Sequence, residues 1–108
     1  MAEHDLVGEL DAFLHGHGPE LIDFRRDLHA HPEVGYSEHR TTRRIARRLE
    51  VAGLRPCVLP KGTGIITDIG GGPADEPVVA LRADIDALPI ADEKAVPYRS
   101  LTAGACHA

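Results

Sequence analysis

The sequence predicts an α/β chain, with helices first and about three strands of an incomplete sheet after them. Three observations carry that reading. Apolar residues recur at helical spacing as far as Ala52, and from Arg55 the composition shifts to short apolar runs broken by glycine and proline. Three such runs leave open sheet edges that something else must cover.

Taken in order, Leu6, Leu10, Phe13 and Leu14 mark a first short helix over residues 5–15, and the glycines of HGHG interrupt it. A second helix starts near Pro19, a residue suited to a first helical turn. It carries Leu21, Ile22, Phe24 and Leu28 on a broad apolar face and stops before Pro32. Ser37 is placed to cap a third, in which Ile45, Leu49 and Ala52 share a face and Gly53 stands just past the end. The runs RPCVLP, GIITDIG and PVVALRA read as strands, separated by KGTG and GGGPADEP. Beyond Pro89 no period is sustained, so that segment reads as an extended surface connection.

At 108 residues the chain has room for one domain and little surplus core. Its 17 acidic against 12 basic residues give a formal charge of -5, which disfavours nucleic acid and anionic membrane as partners. No run reaches the roughly 18 apolar residues of a spanning helix, and MAEHDLVGEL carries acid where a secretory signal carries positive charge. The expectation is a cytoplasmic protein. Cys57 and Cys106 form no CxxC pattern, so reduced thiols are expected.

The segment RADIDALP, at the end of the third apolar run, puts Arg82, Asp84 and Asp86 on one face if the strand persists through them. Sites gather at such strand ends, where a carboxylate can orient a metal-bound histidine, bind a metal or activate water. The same carboxylates can simply bond to Arg82 and to turn N–H groups. His15 with His17, and His29 with His31, resemble two-ligand starts to a metal site. Residues two apart on a helix do not face each other, however, so His29 reads as capping or packing at its helix end. The five arginines Arg40, Arg43, Arg44, Arg47 and Arg48 form one stripe, expected to be a solvated face. GGGP is followed by a strand, not a helix, which argues against a phosphate loop.

The segments RRDLHAHPEVGYSEHRT, GTGIITDIGGG, VVALRADIDALPI and VPYRS, in this order and spacing, resemble the start of the metal-dependent N-acyl-amino-acid amidohydrolases. This is the aminoacylase and hippurate hydrolase group, related to zinc peptidases. The resemblance covers roughly residues 20–108. It implies that residues 1–108 are the N-terminal portion of a zinc-peptidase-like catalytic domain, without the dimerisation domain. It also implies that GACHA corresponds to the stretch just before a Cys-Gly-His-Asp metal motif. Cys106 then stands where relatives often carry a hydrophobic residue, and His107 matches the histidine before that motif.

On this resemblance Asp84 supports a metal-ligating histidine by accepting its ring N–H, Arg82, Asp86 and His107 shape the same site, and the metal ligands lie beyond Ala108. The complete enzyme is expected to use a divalent metal pair, zinc, manganese or cobalt, to hydrolyse the amide bond of a small N-acyl amino acid or dipeptide-like substrate, and to form a homodimer. These 108 residues are expected to be inactive alone and to bind no metal tightly. The alternative is a free-standing α/β interaction module that uses the Arg40–Arg48 helix face.

Overall fold

A computed structural model describes residues 4–108. Residues 1–3, which belong to the acidic N-terminus read against a secretory signal, lie outside the described residues. The element order is α1 (Leu6–Ala30), α2 (His39–Val51), β1 (Cys57–Val58) and β2 (Ile65–Ile66). No helix is long and apolar enough to cross a membrane among the described residues.

The two helices expected before Pro32 are one. α1 runs 25 residues straight through HGHG and Pro19, with Asp5 accepting from the Gly8 N–H at 2.9 Å as its N-cap. Proline removes one intrahelical donor and crowds the preceding turn. Here the residue before it is Gly18, whose missing side chain has no neighbour within 4 Å of where it would stand. Side chains also bridge the weak turn: Phe13 stacks on His17 at 4.5 Å, and His17 Nδ1 lies 3.4 Å from Glu20 Oε2.

α2 begins one residue later than a Ser37 cap would place it. Glu38 occupies the cap position, but its Oε1 accepts from the Tyr36 N–H at 2.8 Å and makes no capping bond, and Glu33 supplies the capping carboxylate from upstream. Its Oε2 accepts from the Arg40 N–H at 3.0 Å and its Oε1 from that of Thr41. The far end follows the sequence reading. Gly53 takes φ +85°, the Leu54 N–H reaches the Leu49 carbonyl at 3.0 Å and the Gly53 N–H reaches that of Glu50 at 2.9 Å, a Schellman closure. Replacing Glu33 with Ala leaves two helix-start N–H groups without acceptors. It should cost about 1–2 kcal/mol, read by urea unfolding; an unchanged midpoint would show that water caps the helix equally well.

The arginine stripe is only in part the solvated face expected: Arg43, Arg44 and Arg47 are exposed, but the stripe also pairs with α1. Asp27 on α1 accepts from Arg40 Nη2 at 3.0 and 3.2 Å and from Arg44 Nε at 3.0 Å, while Arg48 Nη2 lies 3.2 Å from Glu20 Oε1. Burial raises the Asp27 pKa, but Arg40 and Arg44 outweigh it and hold the carboxyl below its ordinary value. The stripe therefore fastens α2 to the acidic side of α1.

Of the three expected strands, two form. β1 and β2 pair antiparallel, with Cys57 opposite Ile66 and Val58 opposite Ile65. Their turn needs glycine at residue 64, where φ is +88° and a Cβ would come within 2.9 Å of Leu59. Gly64 also donates to Thr42 Oγ1 at 3.0 Å, which ties the hairpin to α2. The PVVALRA run forms no strand, and Val78, Val79 and Leu81 are 94, 86 and 98% exposed. A strand exists only through a hydrogen-bonded neighbour, and none lies beside this run among the described residues. The chain exposes 8785 Å², against about 5,800 Å² for a folded monomer of this mass, so the core is thin.

What core there is gathers where α1 ends. Ala87 bridges to Val34 in parallel and donates to the Glu33 carbonyl at 2.8 Å. Leu88 and Cys106 exchange both backbone bonds, at 2.9 and 3.0 Å, and Leu101 donates to the Ala30 carbonyl at 2.9 Å. The segment beyond Pro89, expected to be a surface connection, thus folds back onto the helix end and buries Asp92, Ala105 and Cys106.

Candidate functional site

Each part of RADIDALP meets a different partner. Arg82 Nη2 and Asp84 Oδ1 lie 2.8 Å apart on the surface, with both side chains mostly exposed. Two residues on, Asp86 turns toward the helix junction, and a side chain at Gly35 would stand 3.7 Å from its carboxylate. Asp86 also neighbours His107. Burial pushes the His107 imidazole below its ordinary pKa and His29 adds to that, while the charge and backbone of Asp86 act the other way. His107 Nε2 is buried without a hydrogen-bond partner. The structure therefore groups Arg82 with Asp84, and Asp86 with His107.

Beside His107 lies a cluster that spacing alone did not reveal. His29 and His107 have ring centroids 6.3 Å apart, and His29, in the last turn of α1, is almost fully buried. Its Nε2 lies 3.2 Å from Asp92 Oδ2, and the ring meets Tyr98 edge-on at 6.1 Å. Asp92 Oδ2 also accepts from the Ser100 N–H at 2.8 Å, and Oδ1 from the Lys94 N–H at 3.1 Å. The Ser100 and Lys94 N–H groups are the main reasons its carboxyl is held far below the ordinary range; burial opposes them, and His29 and the Lys94 charge add to the lowering. Cys106 Sγ completes the group: one donor atom each from His29, Asp92 and Cys106 lies within 4.8 Å of the others.

His31, two residues on from His29, turns away as helix geometry requires and bonds the Asp27 carbonyl through Nδ1 at 2.9 Å. His29 could be read as packing at a helix end. Asp92, however, lies 63 residues away in a segment without periodicity, and no sequence spacing joins the two.

The described residues do not fit a pair of metal ions. The one convergent donor set offers three ligand atoms, enough for a single ion, and Asp84 is committed to Arg82 at the surface.

No family model matches the chain. It is similar to N-acetylcysteine deacetylase of Bacillus subtilis, with 46% identity over 89 residues, which cover 82% of this chain and 23% of that protein. A Rhodococcus jostii protein that bears the name of a glutamate–cysteine ligase is 45% identical over 89 residues, but these are 11% of its length, too little for its name to describe this segment. Among solved structures, the YXEP protein of Bacillus subtilis, a dinuclear metal binding peptidase from the M20 family, superposes with a TM-score of 0.75 at 44% identity over 82% of this chain and 25% of that one. The chain thus spans a quarter or less of the length of these relatives. Identities of 44–46% over 82% of this chain, with a matching fold, are well above what shared architecture alone requires, and the chain belongs to the metal-dependent amidohydrolase family of aminoacylase-like enzymes and M20 peptidases.

Proposed function

We propose that residues 1–108 form the N-terminal portion of the catalytic domain of a hydrolase that cleaves the amide bond of N-acyl amino acids. The observation that carries this is the 46% identity to a deacetylase of N-acetylcysteine, together with superposition on a dinuclear metal peptidase. A divalent pair of zinc, manganese or cobalt would polarise the amide carbonyl and acidify the attacking water. In this reading the chain's own contribution is scaffold and support. Asp84, held by Arg82, accepts the ring N–H of a metal-bound histidine, and Asp86 and His107 line the same wall. Small N-acyl amino acids or dipeptide-like amides are the substrates, the cytoplasm is the compartment and the complete enzyme is a homodimer. With four of five stripe arginines facing Asp27, Glu20 or Glu50, no geometry favours the interaction-module reading.

A chimera tests the proposal. Residues 1–108 replace the matching segment of the Bacillus subtilis deacetylase, and hydrolysis of N-acetyl amino acids is measured with added zinc, manganese or cobalt. The chimera should turn over and residues 1–108 alone should not. A folded chimera with no activity on any N-acyl amino acid would refute the assignment, and metal-dependent turnover by the 108 residues alone would refute the supporting role.

A further inference from the structure

The strongest feature outside the amidohydrolase reading is the buried trio of His29, Asp92 and Cys106, together with the group that already stands among them. Lys94 Nζ lies 3.3 Å from His29 Nε2, 3.6 Å from Asp92 Oδ1 and 4.0 Å from Cys106 Sγ, so one ammonium stands close to all three donors. The three donor residues are 4, 9 and 4% exposed, whereas the Lys94 side chain is half exposed and its stem leads to solvent. His29 Nε2 faces both the Asp92 carboxylate and the Lys94 ammonium at bonding distance. One ring nitrogen either donates a proton or accepts one, so it serves only one of these partners. A metal ion resolves the conflict: it takes the lone pair of Nε2, and the carboxylate beside it becomes a ligand.

We propose that His29, Asp92 and Cys106 form a mononuclear site for a zinc-class divalent cation, with the Lys94 ammonium as the resident cation that the metal displaces. Nitrogen, carboxylate oxygen and thiolate sulfur suit zinc, and three protein ligands plus one water complete a tetrahedron. Metal–ligand bonds of about 2.0–2.3 Å require the trio to draw in from its present spacing, which the departure of Lys94 permits. Binding forms one Cys106 sulfur–metal bond and releases the thiol proton to water; His29 binds neutral, with its proton on Nδ1, and Lys94 leaves with its charge unchanged. The site is independent of the metal pair in the complete enzyme, because none of its donors is a group that the amidohydrolase reading assigns.

The test is titration of the full chain with Co²⁺ in a Cys57→Ser background, which removes the one other thiol. One equivalent should produce a sulfur-to-cobalt charge-transfer band together with the visible absorption of a tetrahedral ion, and Zn²⁺ should displace both. Cys106→Ser should abolish the band, and His29→Asn should weaken binding by at least about tenfold, with far-ultraviolet dichroism confirming that each variant keeps its helices. Lys94→Met should bind more tightly than the parent. A folded chain without the band, a band that survives Cys106→Ser, or a Lys94→Met variant that binds no tighter would each overturn the proposal. None of these outcomes depends on amide hydrolysis, so the site and the enzyme assignment fail separately.

Discussion

Asp92→Ala is expected to release residues 88–106 from the end of α1. The substitution leaves His29 Nε2 and the Ser100 and Lys94 N–H groups without the acceptor they share, and of these partners His29 is buried away from water. Amide exchange should report it. Protection at Leu88, Ser100 and Cys106 should fall on the order of tenfold or more, while the α2 amides keep theirs. Asp92→Asn, which keeps one acceptor oxygen, should lie between. The acid limb gives a second reading. A carboxyl that titrates lower in the folded chain than in the unfolded one stabilises fully above its unfolded pKa, close to 3.8, and loses that contribution as pH falls toward its folded value. The parent should therefore lose stability below about pH 4, and Asp92→Ala should show a shallower loss, retaining only the part due to Asp27 and Glu33, whose carboxyls are also lowered. Uniform protection in the variant would mean that the backbone bridges alone hold the segment.

Asp84→Ala carries the other large effect, in the chimera with the deacetylase. If Asp84 accepts the N–H of a metal-bound imidazole, its loss should cost about 10–100-fold in metal affinity or activity with little change in melting, because the side chain is exposed and its ion pair with Arg82 contributes little to stability. Asp86→Ala, beside Gly35 and His107, should act mainly on stability. Bound metal per subunit, specific activity and melting temperature separate the two roles. Normal metal content and turnover in Asp84→Ala would leave RADIDALP as a charged turn.

Local signals in the sequence were reliable where local energetics decide the outcome. The Gly53 end of α2 was legible because a Schellman closure is made within six residues. Two of the three strands were legible as short glycine-bounded apolar runs, and these pair with each other as nearest neighbours in the chain. Ser37 was a reasonable cap by type, but Glu33, four residues earlier, reaches the Arg40 and Thr41 N–H groups across the turn at Gly35 and Tyr36, which a window centred on the helix start does not contain. The break at HGHG failed because helix propensity is a weak prior and the turns on either side of Pro19 continue the same axis. PVVALRA has the composition of a strand, yet composition is only half of a strand, and the other half is a neighbour. The family itself was legible from four motifs in order. The His29, Asp92 and Cys106 cluster was not, since its members belong to a helix end, an aperiodic segment and a residue that the resemblance marks as an ordinary apolar position.

The 63 residues between His29 and Asp92 also set an order of events. The Arg40–Asp27 clasp closes a gap of 13 residues, and the longer closure costs about 1.4 kcal/mol more in chain entropy. Helix pair and hairpin are therefore the early structure, and the returning segment docks late, so weakening it hastens unfolding and barely slows folding. The same order holds during synthesis. Until Asp92 emerges from the ribosome, His29 has no partner and the nascent chain is a helical hairpin with an open end, exposed for that interval to whatever binds apolar surface in the cell.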